Sequence, residues 1–234
     1  MLLDILFGGA SFQDAMQGVL SFLILLPLLL ISLTFHEYAH GYAAFKQGDG
    51  YAKSTGRLTL NPFKHIDPLG LVCMILVGFG WAKPVPVVPQ NFRNGKKSMI
   101  IVASAGIIAN LILAFIATFL LDFCYYIAFS HITGSTATIV ASAVLMALRN
   151  LAFCNISLAV FNFLPVPPLD GYKIFRELFI SKCYKFCAFV ERYSNFIMIV
   201  FLLLIYQTNF LSIIISGLFN AIKSIVDLIF IAFR

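Results

Sequence analysis

Long apolar blocks separated by short polar connections make up most of this chain. A helix needs about 20 apolar residues to cross the hydrocarbon core of a membrane, and blocks of this length recur along the sequence. They cover about residues 16 to 45, 98 to 121, 136 to 164, 188 to 206 and 209 to 233. The pattern therefore predicts an all-α polytopic membrane protein with five to six transmembrane helices.

One further apolar block, residues 69 to 82, is too short for a crossing and contains Gly70, Gly78 and Gly80. A segment of this length is typical of a re-entrant structure, which enters the membrane and returns on the same side. We expect residues 69 to 82 to be such a segment, and a full crossing is the alternative.

Two polar stretches beside this block are predicted to be extended. Residues 57 to 61 alternate polar and apolar positions between Gly and Pro, which is typical of a short strand. Residues 83 to 92 contain three Pro, which exclude a helix. We expect the two stretches to form small membrane-associated β-strands that line a cavity. His65 is a candidate cavity-lining residue, and a solvated loop position is its alternative.

Positive charge is concentrated in some connections and absent from others. Several Lys and Arg occur in residues 46 to 68, 83 to 97 and 165 to 192, and none occurs in 122 to 135 or 207 to 209. Positively charged connections favour the cytoplasmic side of a membrane. If residues 69 to 82 are re-entrant, all the basic connections lie in the cytoplasm. This orientation predicts an external N-terminus and an internal Arg234.

The composition supports a membrane protein and one domain. The chain of 234 residues is 61% hydrophobic and 11% charged, with a mean hydropathy of +0.95. Charged residues make up about 25% of a typical soluble domain. The net charge of +6 does not indicate nucleic-acid binding, because the basic residues lie in short connections between apolar blocks. We expect one domain over residues 1 to 234 in contact with the bilayer, with its core motifs at about 20 to 180 and C-terminal helices at about 188 to 233.

The first long block ends in His36-Glu37-Tyr38-Ala39-His40, which fits the pattern His-Glu-x-x-His. Residues four apart lie on one face of a helix, so His36 and His40 can bind one Zn²⁺. Glu37 then lies close enough to hold the attacking water and take its proton. Ionisable side chains in a membrane helix are costly and usually functional, which favours a metal site. Two alternatives stay open: the His pair faces water at a helix end, or it is the transit site of a membrane zinc transporter.

A zinc hydrolase needs a third protein ligand and an open position for water. Asp170 is the candidate, because the helix of block 136 to 164 must end before Pro165 and the chain then runs extended to Asp170. The distribution of positive charge predicts that this end and the His-Glu-x-x-His end lie on the same side of the membrane. The alternative is that Asp170 caps the helix that follows.

These motifs resemble those of the site-2 protease family of intramembrane zinc metalloproteases, in its short bacterial form without a PDZ or CBS domain. The resemblance covers about residues 20 to 180. It rests on the motifs HEYAH, NFLPVPPLDG (162 to 171), GRLTLNPFKHIDPLG (56 to 70), GWAKPVPV (80 to 87) and NISLAVFN (155 to 162). One departure is Ile107, because many members have Pro after the Gly that corresponds to Gly106.

The resemblance implies one Zn²⁺ per chain, bound by His36, His40 and Asp170, with Glu37 as the catalytic base. It also implies that Asn162 lies near the substrate and stabilises the tetrahedral intermediate, for which a buried interhelical hydrogen bond is the alternative. The implied reaction is hydrolysis of a peptide bond in or near a transmembrane segment of a single-pass membrane protein or peptide. The implied location is a bacterial inner membrane, with the active site toward the cytoplasm.

Overall fold

The computed structural model describes residues 12 to 77, 80 to 131 and 135 to 232. Within these residues the fold consists of helices and connecting segments, and no strand is formed. The helices are α1 (Phe12–Lys46), α2 (Tyr51–Ser54), α3 (Pro68–Val77), α4 (Gly95–His131), α5 (Ser135–Phe163), α6 (Asp170–Arg192), α7 (Ser194–Gln207) and α8 (Phe210–Ala232).

Four of the described helices, α1, α4, α5 and α8, contain segments that are long and apolar enough to cross a membrane. These segments are Phe22–Lys46, Gly95–Tyr126, Thr136–Phe163 and Phe210–Ile231. A fifth candidate is the bent pair Lys182–Arg192 and Ser194–Ile205, whose two halves differ in direction by 79°. The prediction of an all-α polytopic membrane protein is therefore confirmed, and the chain is a multi-pass integral membrane protein.

Large apolar side chains cover the outer face of the bundle. On α4, for example, Ile101, Ile108, Ile112 and Ile116 are each about half exposed, at 46 to 55%. These residues are seven, four and four positions apart, a spacing that puts them on one face of the helix. A soluble protein rarely exposes an apolar patch of this extent, so this face contacts lipid.

Helices α1, α4 and α5 are the centre of the bundle and alternate in direction. His40 near the end of α1 contacts Val102 early in α4, whereas Ser32 contacts Asn110 further along α4. α1 and α4 are therefore antiparallel. α5 follows α4 after a short connection and returns beside it, with Asn155 hydrogen-bonded to Asn110.

Helices α6 and α7 stay at the end of the bundle where α5 ends. α6 folds back at Cys183, whose backbone is not helical, so that the Tyr172 hydroxyl donates to Cys187 O over 3.2 Å. α7 has 14 residues and is about 21 Å long at 1.5 Å per residue, which is shorter than the hydrocarbon core. The ring of Phe201 in α7 lies 6.5 Å from the ring of Phe161 in the last turn of α5.

Helix α8 begins at this same end and runs antiparallel to α5. Leu211 in its first turn packs against the buried cluster that includes Val160, and the ring of Phe219 lies 4.4 Å from that of Phe153. α8 therefore ends at the end of the bundle where α1 begins, whereas the charge pattern predicted that the N-terminus and Arg234 face opposite sides; residues 1 to 11 lie outside the described residues. Arg234 itself lies outside the described residues. The position of α8 depends on block 188 to 206. This block is as apolar as a membrane span, but the chain bends within it and stays at one end of the bundle.

The segment around α3 forms a hairpin that returns to its starting point. Ile66 and Ala82 form an isolated antiparallel bridge, and Lys83 N donates to His65 O over 2.8 Å. The two arms touch through backbone at Gly70, where an added Cβ would lie 2.2 Å from Trp81 O. This geometry supports the re-entrant prediction for residues 69 to 82, because the chain leaves and returns at one place. Gly78 lies outside the described residues.

The predicted small β-strands are wrong for the described residues, apart from that single bridge. Residues 57 to 61 form bends and coil, and the Arg57 guanidinium donates to the carbonyls of Lys64, Lys83 and Pro84. The physical reason lies in residues 83 to 92, whose prolines have no N–H to donate to a neighbouring strand. The Arg57 side chain therefore donates to carbonyl groups that, in a β-sheet, would accept hydrogen bonds from the N–H groups of a neighbouring strand.

A buried carboxylate fixes segment 83 to 92 to the end of α1; contrary to the prediction, the segment is not extended throughout, because Pro89–Asn91 form one turn of 3₁₀ helix. Asp49 is fully buried and accepts hydrogen bonds from Val88 N at 2.7 Å, Asn91 Nδ2 at 2.8 Å and Tyr51 N at 3.1 Å. Burial alone would raise the pKa of Asp49, but these three hydrogen bonds outweigh it and hold the pKa below its usual value. Segment 83 to 92 is thereby held against the helix that carries His36 and His40.

Candidate metal centre

His36 and His40 lie one turn apart on α1 and face the same point. Both are buried, with 4% and 7% of their surface exposed. Their Nε2 atoms are 3.0 Å apart, and their rings meet edge to face with centroids separated by 4.6 Å. The spacing of four residues in the sequence produces this geometry directly, because α1 continues as a regular helix through both positions.

Asp170 brings a carboxylate to the same point from the first turn of α6. Its Oδ2 lies 2.9 Å from His40 Nε2 and 3.1 Å from His36 Nε2. The alternative that Asp170 caps α6 is wrong, because the cap position is Leu169 and no side chain caps the helix there. The other carboxylate oxygen, Oδ1, accepts a hydrogen bond from Lys173 Nζ at 2.8 Å, so only Oδ2 faces the two imidazoles.

Gly171 explains how α6 starts so close to the end of α5. A Cβ at position 171 would lie 2.1 Å from Phe163 O and 2.6 Å from Leu164 O, which backbone atoms cannot tolerate. The absence of a side chain therefore allows the start of α6 to pack directly on the last turn of α5. This close contact sets the position of Asp170 relative to α1.

The three side chains have the arrangement that a metal ion requires. His40 Nδ1 lies 2.7 Å from Val102 O and must donate to it, which leaves the lone pair on Nε2. His36 Nδ1 lies 2.6 Å from Asn110 Oδ1, so its Nε2 is likewise an acceptor. With Asp170 Oδ2, these atoms lie within 4.8 Å of one another. Two imidazole nitrogens and one carboxylate oxygen fit the ligand set of a catalytic zinc site.

Gly106 of α4 provides the space for this site. A Cβ at this position would lie 2.5 Å from His40 Nε2, 2.6 Å from His36 Cε1 and 2.7 Å from His36 Nδ1. Any side chain at position 106 would therefore occupy the volume between α4 and the two imidazoles.

Glu37 follows His36 and points to a different side of α1. Its Oε2 accepts a hydrogen bond of 2.7 Å from Val85 N. Val85 stands between Pro84 and Pro86, so its N–H is the one main-chain donor among these three residues. The extended segment thus orients one carboxylate oxygen of Glu37 and leaves the other for chemistry.

Asn162 and His65 do not take part in the cluster formed by His36, His40 and Asp170. Asn162, in the last turn of α5, is half-buried and donates one amide N–H to Leu158 O of its own helix at 3.0 Å. His65 is buried, and its Nε2 donates to Thr59 O at 2.8 Å. His65 lines a small cavity with residues from α1, α3 and both arms of the hairpin. The oxyanion role of Asn162 stays a prediction.

Comparisons with known proteins agree on one family. Residues 23–205 match the profile of Peptidase family M50. The chain is 44% identical over 151 residues to the Bacillus subtilis protein named "Putative zinc metalloprotease YwhC", an alignment that covers 64% of the chain and 66% of that protein. Two proteins named "Putative zinc metalloprotease Rip2" are 28% identical over 190 residues in Mycolicibacterium smegmatis and 32% identical over 160 residues in Mycobacterium tuberculosis H37Rv.

The alignments with the Rip2 proteins cover 78% and 64% of the chain. The chain spans 55 to 67% of the length of these curated relatives. No solved structure matches it.

Proposed function

Because the chain belongs to peptidase family M50, we propose that it is a membrane-embedded zinc metalloprotease with a single transmembrane protease domain. The sequence motifs predicted the site-2 protease family, and the family match confirms that prediction. One observation supports the proposal most strongly: three buried acceptor atoms, from His36, His40 and Asp170, lie within 4.8 Å of one another, and Glu37 directly follows the first of these residues on α1.

In this proposal, His36, His40 and Asp170 would hold one Zn²⁺, and three is the number of protein ligands that is typical of a catalytic zinc site. Bound zinc supplies a Lewis acid that polarises the scissile carbonyl and increases the acidity of water. Glu37 takes a proton from the attacking water and delivers it to the leaving amine. One oxygen of the Glu37 carboxylate does this, while the other, Oε2, accepts the hydrogen bond from Val85 N. Asn162 donates its second amide N–H to the oxyanion.

The substrate we propose is a transmembrane segment of a single-pass membrane protein or peptide, unwound locally at the site. An extended substrate can add to exposed main-chain groups as a strand. Along residues 84 to 89, Val85 and Val88 give their N–H groups to carboxylates and the prolines have none. Val87 therefore has the main-chain N–H best suited to bind substrate in this stretch.

A crosslinking experiment tests this binding mode. A photo-crosslinkable residue at Val87 is expected to capture a transmembrane substrate in a Glu37→Gln background, because the substrate would lie beside that backbone. The same residue at Ile139, which is 68% exposed near the other end of α5, is the control and should capture none. Equal capture at both positions, or no capture at Val87, would contradict strand addition.

The proposed reaction is tested with purified wild-type protein in liposomes. We expect one zinc per chain, cleavage of a transmembrane model substrate, loss of cleavage with a chelator and recovery on adding zinc. The alternative function, a zinc transporter using His36 and His40, predicts zinc flux into the liposomes. Flux without cleavage would contradict the protease and support the transporter.

We also propose that the metal end of the bundle faces the cytoplasm of a bacterial inner membrane, because the basic connections meet there. Lys223 of α8 lies toward the opposite end but is neutralised by Asp122 at 2.9 Å and Asp227 at 3.3 Å. α8 would then end outside, which gives a testable topology.

Alkaline phosphatase fused after residue 234 is expected to be active, because the enzyme works only outside the cytoplasm. In the same cells, a Cys introduced at the exposed Gln90, near the metal end, should be protected from a membrane-impermeant thiol reagent. An inactive fusion together with a labelled Gln90→Cys would reverse the orientation.

A further inference from the structure

A chain of buried polar side chains continues from His36 away from the candidate metal site. Ser32 of α1, Asn110 of α4 and Asn155 of α5 are each 0% exposed. Asn110 Oδ1 lies 2.6 Å from His36 Nδ1, and Asn110 Nδ2 lies 2.9 Å from Asn155 Oδ1. Asn155 Nδ2 lies 2.9 Å from Ser32 Oγ, which donates its own proton to Leu28 O at 2.8 Å. The chain joins the three central helices.

Main-chain carbonyls set the direction of every hydrogen bond in this chain, because a carbonyl can only accept. Asn155 Nδ2 also lies 2.9 Å from Leu151 O, so the amide of Asn155 must point its N–H groups there and toward Ser32. Its Oδ1 then accepts from Asn110 Nδ2. Asn110 in turn presents Oδ1 to His36, and His36 Nδ1 is left with the role of donor.

We propose that Asn110 and Asn155 are positioning residues that keep a proton on His36 Nδ1 and so direct the Nε2 lone pair to the metal. This inference rests on the proposed zinc site. A metal-binding His usually donates its other N–H to an acceptor that fixes the ring. For His40 that acceptor is the main-chain Val102 O, at 2.7 Å. For His36 it is a side chain, whose orientation depends on a second helix.

Zinc affinity is the first readout. Asn110→Leu removes the acceptor with little change in volume, and we expect it to weaken zinc binding about 10- to 100-fold in competition with a chelator. Asn155→Leu should weaken zinc binding less. Asn110 is still present in this variant, but its side-chain amide is free to rotate because Asn155 no longer fixes it. The double variant should bind zinc as Asn110→Leu does, since both changes act through His36 Nδ1. Additive losses would contradict this relation.

Thr118→Val is the matched control. Thr118 is also 0% exposed on α4, two turns beyond Asn110, and its hydroxyl donates to Ala114 O of its own helix at 2.9 Å. The change removes one buried polar group without touching His36. We expect Thr118→Val to bind zinc like the wild type. A loss equal to that of Asn110→Leu would show that any buried polar deletion in α4 damages the site, which would overturn the assignment.

The second readout needs neither zinc nor cleavage. In zinc-free protein labelled with ¹⁵N-His and placed in bilayers, we expect His36 Nδ1 to carry a proton in the wild type. In Asn110→Leu, the protonated fraction of His36 Nδ1 should fall. A His36→Gln sample assigns the resonance by its absence. An unprotonated His36 Nδ1 in the wild type would overturn the proposal, whether or not the protein proves to be a protease.

Discussion

Glu37→Gln is expected to keep one zinc per chain and to lower cleavage of a transmembrane substrate by about 10²- to 10⁴-fold, the contribution of a general base. The amide of Gln can still accept the hydrogen bond from Val85 N, which is 2.7 Å from Glu37 Oε2. The substitution therefore leaves the local structure in place and removes only the capacity to take a proton. Cleavage rate and zinc content, measured on the same sample, check this result.

Glu191→Gln is the matched control for that change. Glu191 is one of three Glu in the sequence, is partly exposed and pairs with Arg176 within α6. We expect its substitution to leave both zinc content and cleavage close to the wild type. Robust cleavage by Glu37→Gln would exclude Glu37 as the base, and loss of zinc from Glu37→Gln would assign it a ligand role instead.

Gly106→Ala is expected to abolish zinc binding and cleavage in a protein that still folds. The new Cβ would lie 2.5 Å from His40 Nε2 and 2.6 Å from His36 Cε1, so both imidazoles must move away from α4 and out of their present positions. In a helix interior, Ala is more favourable than Gly by about 0.8 to 1.0 kcal/mol. General destabilisation of α4 is therefore not the expected cause, and zinc content together with thermal unfolding measures the effect.

Gly217→Ala on α8 provides the comparison, because an added Cβ there meets no atom within 4 Å. This variant should keep wild-type zinc content and cleavage. If Gly106→Ala also binds one zinc per chain and cleaves normally, the metal does not lie between His36 and His40.

Local spacing made the core of the site predictable from sequence. His40 follows His36 by four positions, and a helix through both positions is enough to bring their rings together. Asp170 could be predicted because Pro165 stops one helix and the next begins a few residues later. Lys173 was missed, although its position one turn after Asp170 is a signal for an ion pair.

Other parts of the site depend on the register between helices, which the sequence does not display. Gly106, Asn110 and Asn155 lie in apolar runs, where a small or amide residue is typical of helix packing. Their contact with His36 follows from the antiparallel packing of α1, α4 and α5. The hydrogen bond from Val85 to Glu37 uses a main-chain N–H, so no residue type marks it.

Two features of the fold are not visible in the sequence pattern, for physical reasons. The apolar content of block 188 to 206 does not reveal the 79° bend that keeps it at one end of the bundle. The alternation in residues 57 to 61 is short, and its intended partner lacks the N–H groups that a strand needs. The hydropathy pattern did predict the four long helices, because a helix in lipid requires little more than a long run of apolar residues.

The zinc-edge X-ray absorption spectrum of purified wild-type protein tests the metal centre most directly. If His36, His40 and Asp170 bind the ion, the spectrum will show two imidazole nitrogens at about 2.0 to 2.1 Å with oxygen neighbours, and no sulfur at about 2.3 Å. The chain has five Cys that compete for zinc if the site is elsewhere. A sulfur shell, or a protein that retains no zinc, would contradict the proposed centre.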